Sequence, residues 1–85
     1  MRVFITGASS GLGEALARLY AARGATLGLA ARNRSALEAL AVRLGTPCRI
    51  YPLDVRDASA LGAAAARFLA SDGVPDVVKI GRAHV

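Results

Sequence analysis

The chain of 85 residues leaves room for one small domain and excludes a multidomain enzyme within these residues. Hydrophobic residues make up 54% and charged residues 20% of the sequence, which excludes a disordered tail and predicts a folded core. The net charge of +5 raises the question of a nucleic-acid partner, and a single cysteine excludes an internal disulfide and favours a reducing, cytoplasmic compartment.

The first part of the chain predicts two strands that flank a helix. Residues 3–5 form an apolar run without polar alternation, which is typical of a strand covered on both faces. Residues 12–23 follow with helical spacing, Gly24 is placed to end that helix, and residues 26–30 form the next apolar run. The expected buried face of the helix carries Leu12, Leu16 and Leu19.

The second helix carries the signature of a capping box. Ser35 and Glu38 have the spacing at which each side chain satisfies a free backbone N–H at a helix start. Gly45 is expected to end this helix, and residues 49–53 form the third strand. Pro52 cannot donate to a ladder, which indicates that the pairing there is frayed or at a sheet edge. The predicted buried stripe of the helix consists of Leu37, Leu40 and Leu44.

A third helix and a fourth strand complete the pattern. Asp57 can cap the helix, and the fourth strand begins at Val77. Each connection between strands is long enough for a helical crossover, as parallel strands require. The order βαβαβαβ therefore predicts an α/β fold. The expected buried face of the third helix carries Leu61, Ala65, Phe68 and Leu69.

A glycine-rich turn separates the first strand from the first helix. Gly7 supplies the backbone freedom that a sharp turn needs, Gly11 lets the main chain approach a pyrophosphate, and Gly13 lets the helix pack close to the strand. The start of the helix adds free N–H groups and a partial positive charge. No Gly-Lys-Ser/Thr follows, which excludes a Walker-type loop, and the turn predicts a dinucleotide-binding loop.

The string Thr-Gly-Ala-Ser-Ser-Gly-Leu-Gly at residues 6–13 resembles the Thr-Gly-x-x-x-Gly-x-Gly signature of short-chain dehydrogenases/reductases. The resemblance continues through residues 31–33, 53–55 and 75–78, and it covers residues 1–78. It implies the N-terminal part of a NAD(P)-binding Rossmann domain, a three-layer sandwich whose truncated parallel sheet has the strand order 3-2-1-4. The alternative is another nucleotide-binding Rossmann-like module.

The resemblance also implies which residues bind the cofactor. In the family, the acidic residue at the position of Asp54 accepts a hydrogen bond from the adenine amino group, and the residue at the position of Val55 borders the ring. The alternative for Asp54 is a turn or capping role. The full set of expected cofactor-binding residues is Thr6, Gly7, Ser9, Ser10, Gly11, Leu12, Gly13, Arg32, Asn33, Asp54 and Val55.

The end of the second strand indicates which cofactor fits. An acidic residue about 20 residues after the glycines binds the ribose 2′-hydroxyl of NAD in dinucleotide-binding folds. Ala31 holds that position, so no carboxylate repels a 2′-phosphate, and Arg32 supplies a guanidinium able to bind one. Asn33, Arg34 and Ser9 could add donors. NADP is therefore the expected cofactor and NAD the less favoured one, unless both arginines are merely solvated loop charges.

No catalytic residue can be assigned within the chain. The family uses a serine and a tyrosine that is activated by a lysine four residues later, but Gly24 and Val55 stand four residues after Tyr20 and Tyr51. Both tyrosines are expected to be packing residues. The resemblance thus implies a fragment of an NADP(H)-dependent oxidoreductase, inactive alone, whose parent is a homo-oligomer acting on a small carbonyl or alcohol. The alternative is a non-catalytic or regulatory nucleotide-binding module.

Residues 79–85 depart from the family pattern. Their sequence, Lys-Ile-Gly-Arg-Ala-His-Val, is what the codons AAG ATC GGA AGA GCA CAC GTC of a widely used sequencing adapter would encode. We interpret this tail as translated adapter that ends a truncated gene, and a natural basic tail is the alternative.

Other partners are not expected. The arginines are scattered along the chain and aromatic residues make up only 5%, which argues against a nucleic-acid surface. No apolar run approaches the length of a membrane span, which is about 18 residues. One histidine and one cysteine without ligand spacing predict no metal site, and Cys48 is expected to be a small buried hydrophobe.

Overall fold

The computed structural model of the chain describes residues 1–9, 11–72 and 77–80. Ser10, one of the predicted site residues, and residues 81–85 of the predicted tail lie outside the described residues. The described elements alternate as predicted: β1 (Arg2–Thr6), α1 (Gly11–Ala22), β2 (Thr26–Ala31), α2 (Arg34–Leu44), β3 (Cys48–Pro52), α3 (Ala58–Asp72) and β4 (Val77–Ile80).

The four described strands form one parallel sheet in the order β3-β2-β1-β4. Thr6 at the end of β1 lies opposite Ala30 of β2, and Ala31 at the end of β2 lies opposite Pro52 of β3. The carboxyl ends of these strands therefore meet at one edge of the sheet, which we call the carboxyl edge. Helices cover both faces, which confirms the predicted α/β, Rossmann-like class.

Two cores lie on opposite faces of the sheet. The first packs aliphatic side chains of β1 and β2 against α1 and α2. The second packs Phe4 and Tyr51 against Phe68 of α3, with ring centroids 5.6 to 6.4 Å apart. Gly28 of β2 makes room for these rings, because a Cβ there would lie 2.8 Å from Phe4 and 2.9 Å from Phe68.

The buried face of α1 differs from the prediction. Leu12 and Leu19 are 54% and 46% exposed, and the fully buried positions of the helix are Gly13 and Ala17. Leu16 packs against the first core, as predicted. Position 13 requires glycine because a Cβ there would overlap the backbone of Gly7 in the preceding loop, so residue size overrides hydropathy at this position.

The start of α2 also differs from the prediction. Asn33 is the N-cap, and its side-chain oxygen accepts a hydrogen bond from the N–H of Ala36 at 3.0 Å. Ser35 therefore lies inside the first turn, where it cannot act as the cap of the predicted capping box. The leucine stripe is confirmed by two buried leucines and a third that packs on the first core, and Gly45 ends the helix in the left-handed region at φ 65°.

The remaining elements match the prediction more closely. β3 lies at one edge of the described sheet, which suits Pro52, and Asp57 caps α3 by accepting a hydrogen bond from the N–H of Ala60 at 3.1 Å. Phe68 is fully buried, but Leu69 is 43% exposed, and Ala64 rather than Ala65 is the buried alanine of the preceding turn. Leu69 and Phe68 are neighbours in sequence and lie about 100° apart around the helix, so Leu69 is at the margin of the buried face.

Candidate nucleotide site at the carboxyl edge

The glycine loop leaves the central strand β1 at the carboxyl edge. Gly7 and Gly11 have φ angles of 67° and 55°, a region that side chains disfavour and glycine adopts readily. The N–H of Ala8 donates to the carbonyl oxygen of Ala30 at 3.2 Å, which ties the loop to the end of β2. The beginning of the loop is thus anchored to the strand next to β1.

Gly13 fixes how closely α1 approaches this loop. A Cβ on Gly13 would lie 1.9 Å from the carbonyl oxygen of Gly7 and 2.5 Å from its carbon. Both are backbone atoms, so the contact cannot be relieved by a side-chain rotation. The predicted role of Gly13 in close packing therefore agrees with the geometry. Around the loop, Thr6 is buried, Ser9 is half-buried and Leu12 is exposed.

The first turn of α1 completes an anion-binding geometry. The first four N–H groups of any α-helix have no acceptor within the helix, and they carry the positive end of the helix dipole. In α1 they belong to residues 11–14, directly after the glycine loop. Backbone that can approach a ligand closely and N–H groups that point outward are what a phosphate group requires.

The end of β2 supplies a cation beside the loop. Ala31 is the last residue of the strand and is buried, and the side chain of Arg32 after it is exposed. Asn33 is exposed as well, but its amide oxygen is bonded to the start of α2. The amide nitrogen of Asn33 is therefore the group that could donate to a cofactor. The positive charge predicted for this site is the exposed guanidinium of Arg32, and the position where an acidic residue would favour NAD is occupied by Ala31.

Asp54 forms a tight ion pair that sequence reasoning missed. One carboxylate oxygen of Asp54 accepts from the backbone N–H and the Nε of Arg56, at 2.9 and 3.1 Å, and the other accepts from the Nη2 of Arg56 at 2.9 Å. These hydrogen bonds lower the pKa of Asp54 to about 2, with a smaller contribution from the charge of Arg32. Asp54 is thus ionised at neutral pH. The short spacing Asp-x-Arg after a strand is the signal that could have revealed the pair.

The sheet brings the sites after β2 and β3 together. The N–H of Leu53 donates to the carbonyl oxygen of Ala31 at 2.9 Å, so the residues that follow these positions, Arg32 and Asp54, lie on neighbouring strand ends. Val55 is 39% exposed beside them. The glycine loop, the arginine and the aspartate predicted from separate parts of the sequence therefore share the carboxyl edge.

The two tyrosines lie in packed positions. Tyr51 is 5% exposed, stacks with the rings of the second core and has the guanidinium of Arg67 5.5 Å from its ring centre. Tyr20 packs against the first core. Both agree with the packing role predicted for them.

A cavity of about 500 Å³ lies away from the carboxyl edge, along β3 and α3. It is lined by the half-buried Cys48, and burial raises the pKa of the Cys48 thiol, which favours its protonated form. Among the described residues, no group of three or more possible metal ligands is assembled. None of the helices of the described part of the chain is long and apolar enough to cross a membrane.

A parallel sheet between helix layers, with a glycine loop after its central strand, defines the Rossmann-like class of α/β folds. Within that class, the sequence profile described as short chain dehydrogenase matches residues 1–78. The chain therefore belongs to the short-chain dehydrogenase family, as the resemblance of its glycine loop predicted.

Several characterised proteins are similar to the chain. A sulfoacetaldehyde reductase of Chromohalobacter salexigens is 48% identical over 66 residues, which are 75% of this chain and 26% of the reductase. An alcohol dehydrogenase of Thermococcus sibiricus, solved with 5-hydroxy-NADP, has a TM-score of 0.85 at 38% identity and covers 91% of this chain and 34% of its own. An L-sorbose reductase of Gluconobacter frateurii, solved with NADPH and L-sorbose, has a TM-score of 0.87 at 30% identity. The match covers 99% of this chain and 33% of the L-sorbose reductase. The chain spans about a quarter of the length of the curated relatives it matches.

Proposed function

We propose that the chain is the cofactor-binding part of an NADP(H)-dependent oxidoreductase that transfers hydride between a nicotinamide and a small carbonyl or alcohol. The observation that carries this proposal is the carboxyl edge itself, where the glycine loop, the start of α1 and Arg32 meet. Membership of the short-chain dehydrogenase family supports it, as do neighbouring structures solved with NADP or NADPH.

The loop would hold the pyrophosphate of the cofactor. Gly7 and Gly11 leave its backbone unshielded by side chains, and the first turn of α1 directs N–H groups toward the anion. Thr6, Ser9 and Ser10 are proposed to line the same site by their positions in the family signature. The nicotinamide would supply the hydride, and the residues of this chain would bind and orient the dinucleotide.

Arg32 would distinguish NADP from NAD. Its exposed guanidinium follows the buried Ala31, so a 2′-phosphate at the end of β2 meets a cation and no carboxylate. Asn33 would add a donor through its amide nitrogen. Asp54 would accept a hydrogen bond from the adenine amino group as an ionised acceptor, with Val55 against the ring.

The catalytic groups and the substrate pocket are proposed to belong to a part of the parent enzyme that these residues do not contain. Tyr20 and Tyr51 pack in the cores and lack a lysine four residues later. The substrate would then be a small molecule, and the parent a homo-oligomer. A non-catalytic module is not favoured, because the sulfoacetaldehyde reductase, the alcohol dehydrogenase and the L-sorbose reductase that resemble the chain are all named as oxidoreductases.

Calorimetric titration with NADP⁺ and NAD⁺ tests the cofactor. We expect NADP⁺ to bind more tightly, and Arg32→Ala to weaken NADP⁺ while leaving NAD⁺ nearly unchanged. Arg23→Ala, an exposed arginine just after α1, is the control and should change neither affinity. Tighter binding of NAD⁺, or an equal loss of both affinities in Arg32→Ala, would contradict the assignment.

Residues 1–78 are proposed as the nucleotide-binding part and residues 79–85 as translated adapter. Lys79 and Ile80 nevertheless pair with β1, since a parallel ladder is made by backbone groups that any sequence carries. The nucleotide sequence of the gene tests the origin of this tail. Codons for residues 79–85 that differ from those of the adapter would contradict it.

A further inference from the structure

Arg56 donates three hydrogen bonds to the carboxylate of Asp54. The backbone N–H and the Nε bind one oxygen of the carboxylate, and the Nη2 binds the other. A carboxylate held by two guanidinium nitrogens and a backbone amide has few rotamers left, although the side chain of Asp54 is 36% exposed. The guanidinium of Arg56 is itself 78% exposed, so core packing does not explain its placement.

We propose that Arg56 is a positioning and charge-balancing residue of the nucleotide site, which orients the Asp54 carboxylate toward the adenine and keeps the carboxyl edge positive for a 2′-phosphate. This inference rests on the proposed NADP-binding function and extends it to a residue outside the glycine loop and the end of β2.

Orientation follows from the geometry of the pair. Each carboxylate oxygen has two acceptor directions, and the Oδ2 of Asp54 uses one of them for the Nη2 of Arg56. The fork of Arg56 therefore fixes the plane of the carboxylate and still leaves acceptor capacity for an amino group. Without Arg56 the side chain of Asp54 would sample other rotamers. The conformational entropy lost when the nucleotide orders that side chain would then weaken nucleotide binding.

Charge balance follows from the neighbours of Asp54. The positive charges of Arg56 and Arg32 both lower the pKa of the Asp54 carboxyl. The next acidic residue in the sequence is Asp57, whose backbone N–H donates to the carbonyl oxygen of Asp54 at 2.9 Å. With Arg56 present, Arg32, Asp54 and Arg56 together carry one positive charge. Without it, Asp54 cancels Arg32, and the attraction for an additional phosphate is lost.

Titration of the full chain with NADP⁺ and NAD⁺ tests this role in Arg56→Gln and Arg56→Lys. We expect Arg56→Gln to weaken NADP⁺ by about two- to fivefold, the range of an exposed ion pair, and to weaken NAD⁺ less. Arg56→Lys keeps the charge without the fork, so it should retain most of the NADP⁺ preference. Arg23→Gln, at an exposed arginine just after α1, is the control and should change neither affinity.

A second measurement is independent of any nucleotide. The carboxyl carbon of Asp54, followed by NMR in the unliganded chain, should titrate near a pKa of about 2 in the natural sequence and at a clearly higher pH in Arg56→Gln. If Arg56 had only a structural role, its replacement would not change both the pKa of Asp54 and the ratio of the NADP⁺ and NAD⁺ affinities.

The outcomes separate the two proposals. If the natural chain binds neither nucleotide, the NADP-binding function fails and this inference fails with it. If the natural chain prefers NADP⁺ but Arg56→Gln changes both affinities equally, or changes neither, only the role of Arg56 is overturned. An unshifted Asp54 titration in Arg56→Gln would overturn the pairing itself.

Discussion

Helices α1 and α2 lie on the same face of the sheet, yet they bury opposite kinds of residues. α1 buries Gly13 and Ala17 and leaves Leu12 and Leu19 exposed, whereas α2 buries Leu37 and Leu40. α2 follows the usual rule that large apolar side chains fill the core. α1 departs from that rule at Gly13, where a Cβ would overlap the backbone of the glycine loop, although Leu16 and Tyr20 of the same helix still pack on the first core.

The difference teaches that the close approach of α1 to the glycine loop limits residue size at the start of that helix. α2 begins after a loop that the end of β2 and its own N-cap Asn33 position. Its place in the fold is therefore set by the leucines of the core.

Truncating a leucine on each helix should give the largest contrast. Leu40→Ala is expected to lower the free energy of unfolding by about 2–5 kcal/mol, because Leu40 is 1% exposed and its removal leaves a cavity. Leu19→Ala is expected to cost about 0.5 kcal/mol or less, because Leu19 is 46% exposed. Chemical denaturation measures both values, and similar losses would show that Leu19 contributes to the core as Leu40 does.

Adding a methyl group to α1 should have the next largest effect. Gly13→Ala is expected to lower the free energy of unfolding by about 3 kcal/mol, since its Cβ would overlap the backbone of Gly7. The same variant should weaken NADP⁺, because the loop must shift.

Gly62→Ala in α3 is the matched control for that substitution. A Cβ at Gly62 would meet nothing within 4 Å, so this variant should gain about 0.5–1 kcal/mol from helix propensity. Thermal unfolding followed by circular dichroism compares the two glycines. Equal effects would show that the loop does not restrict α1.

The sequence predicts most of this fold, because strands buried on both faces and leucines at helical spacing follow one physical rule, burial of apolar surface. It predicts the place of the glycine loop equally well, since the loop needs glycine for backbone reasons. It fails for Leu12 and Leu19, because the buried face of α1 contains Gly13 and Ala17 instead, and hydropathy does not report the close approach of two backbones at Gly13. The pairing of Asp54 with Arg56 was missed for a different reason, because the spacing Asp-x-Arg after a strand was not interpreted as a local hydrogen-bonded pair.

The smallest expected effect on stability comes from replacing the N-cap of α2. Asn33→Ala should lower the free energy of unfolding by about 1 kcal/mol, because the N–H of Ala36 loses its acceptor. Ser35→Ala should cost much less, since Ser35 lies inside the first turn and is not the cap. A larger loss of stability from Ser35→Ala than from Asn33→Ala would support the capping box predicted for Ser35 and Glu38.

Asn33→Asp tests the cofactor role alone. The aspartate keeps the capping oxygen, and its charge suits the positive end of the helix dipole, so stability should be kept. The same charge would stand beside a 2′-phosphate that Arg32 is proposed to bind, and the amide donor would be gone. NADP⁺ affinity should therefore fall while the free energy of unfolding does not, as titration and denaturation of one variant would measure. If both quantities stay unchanged, Asn33 serves the helix only, and the start of α2, unlike that of α1, is independent of the nucleotide.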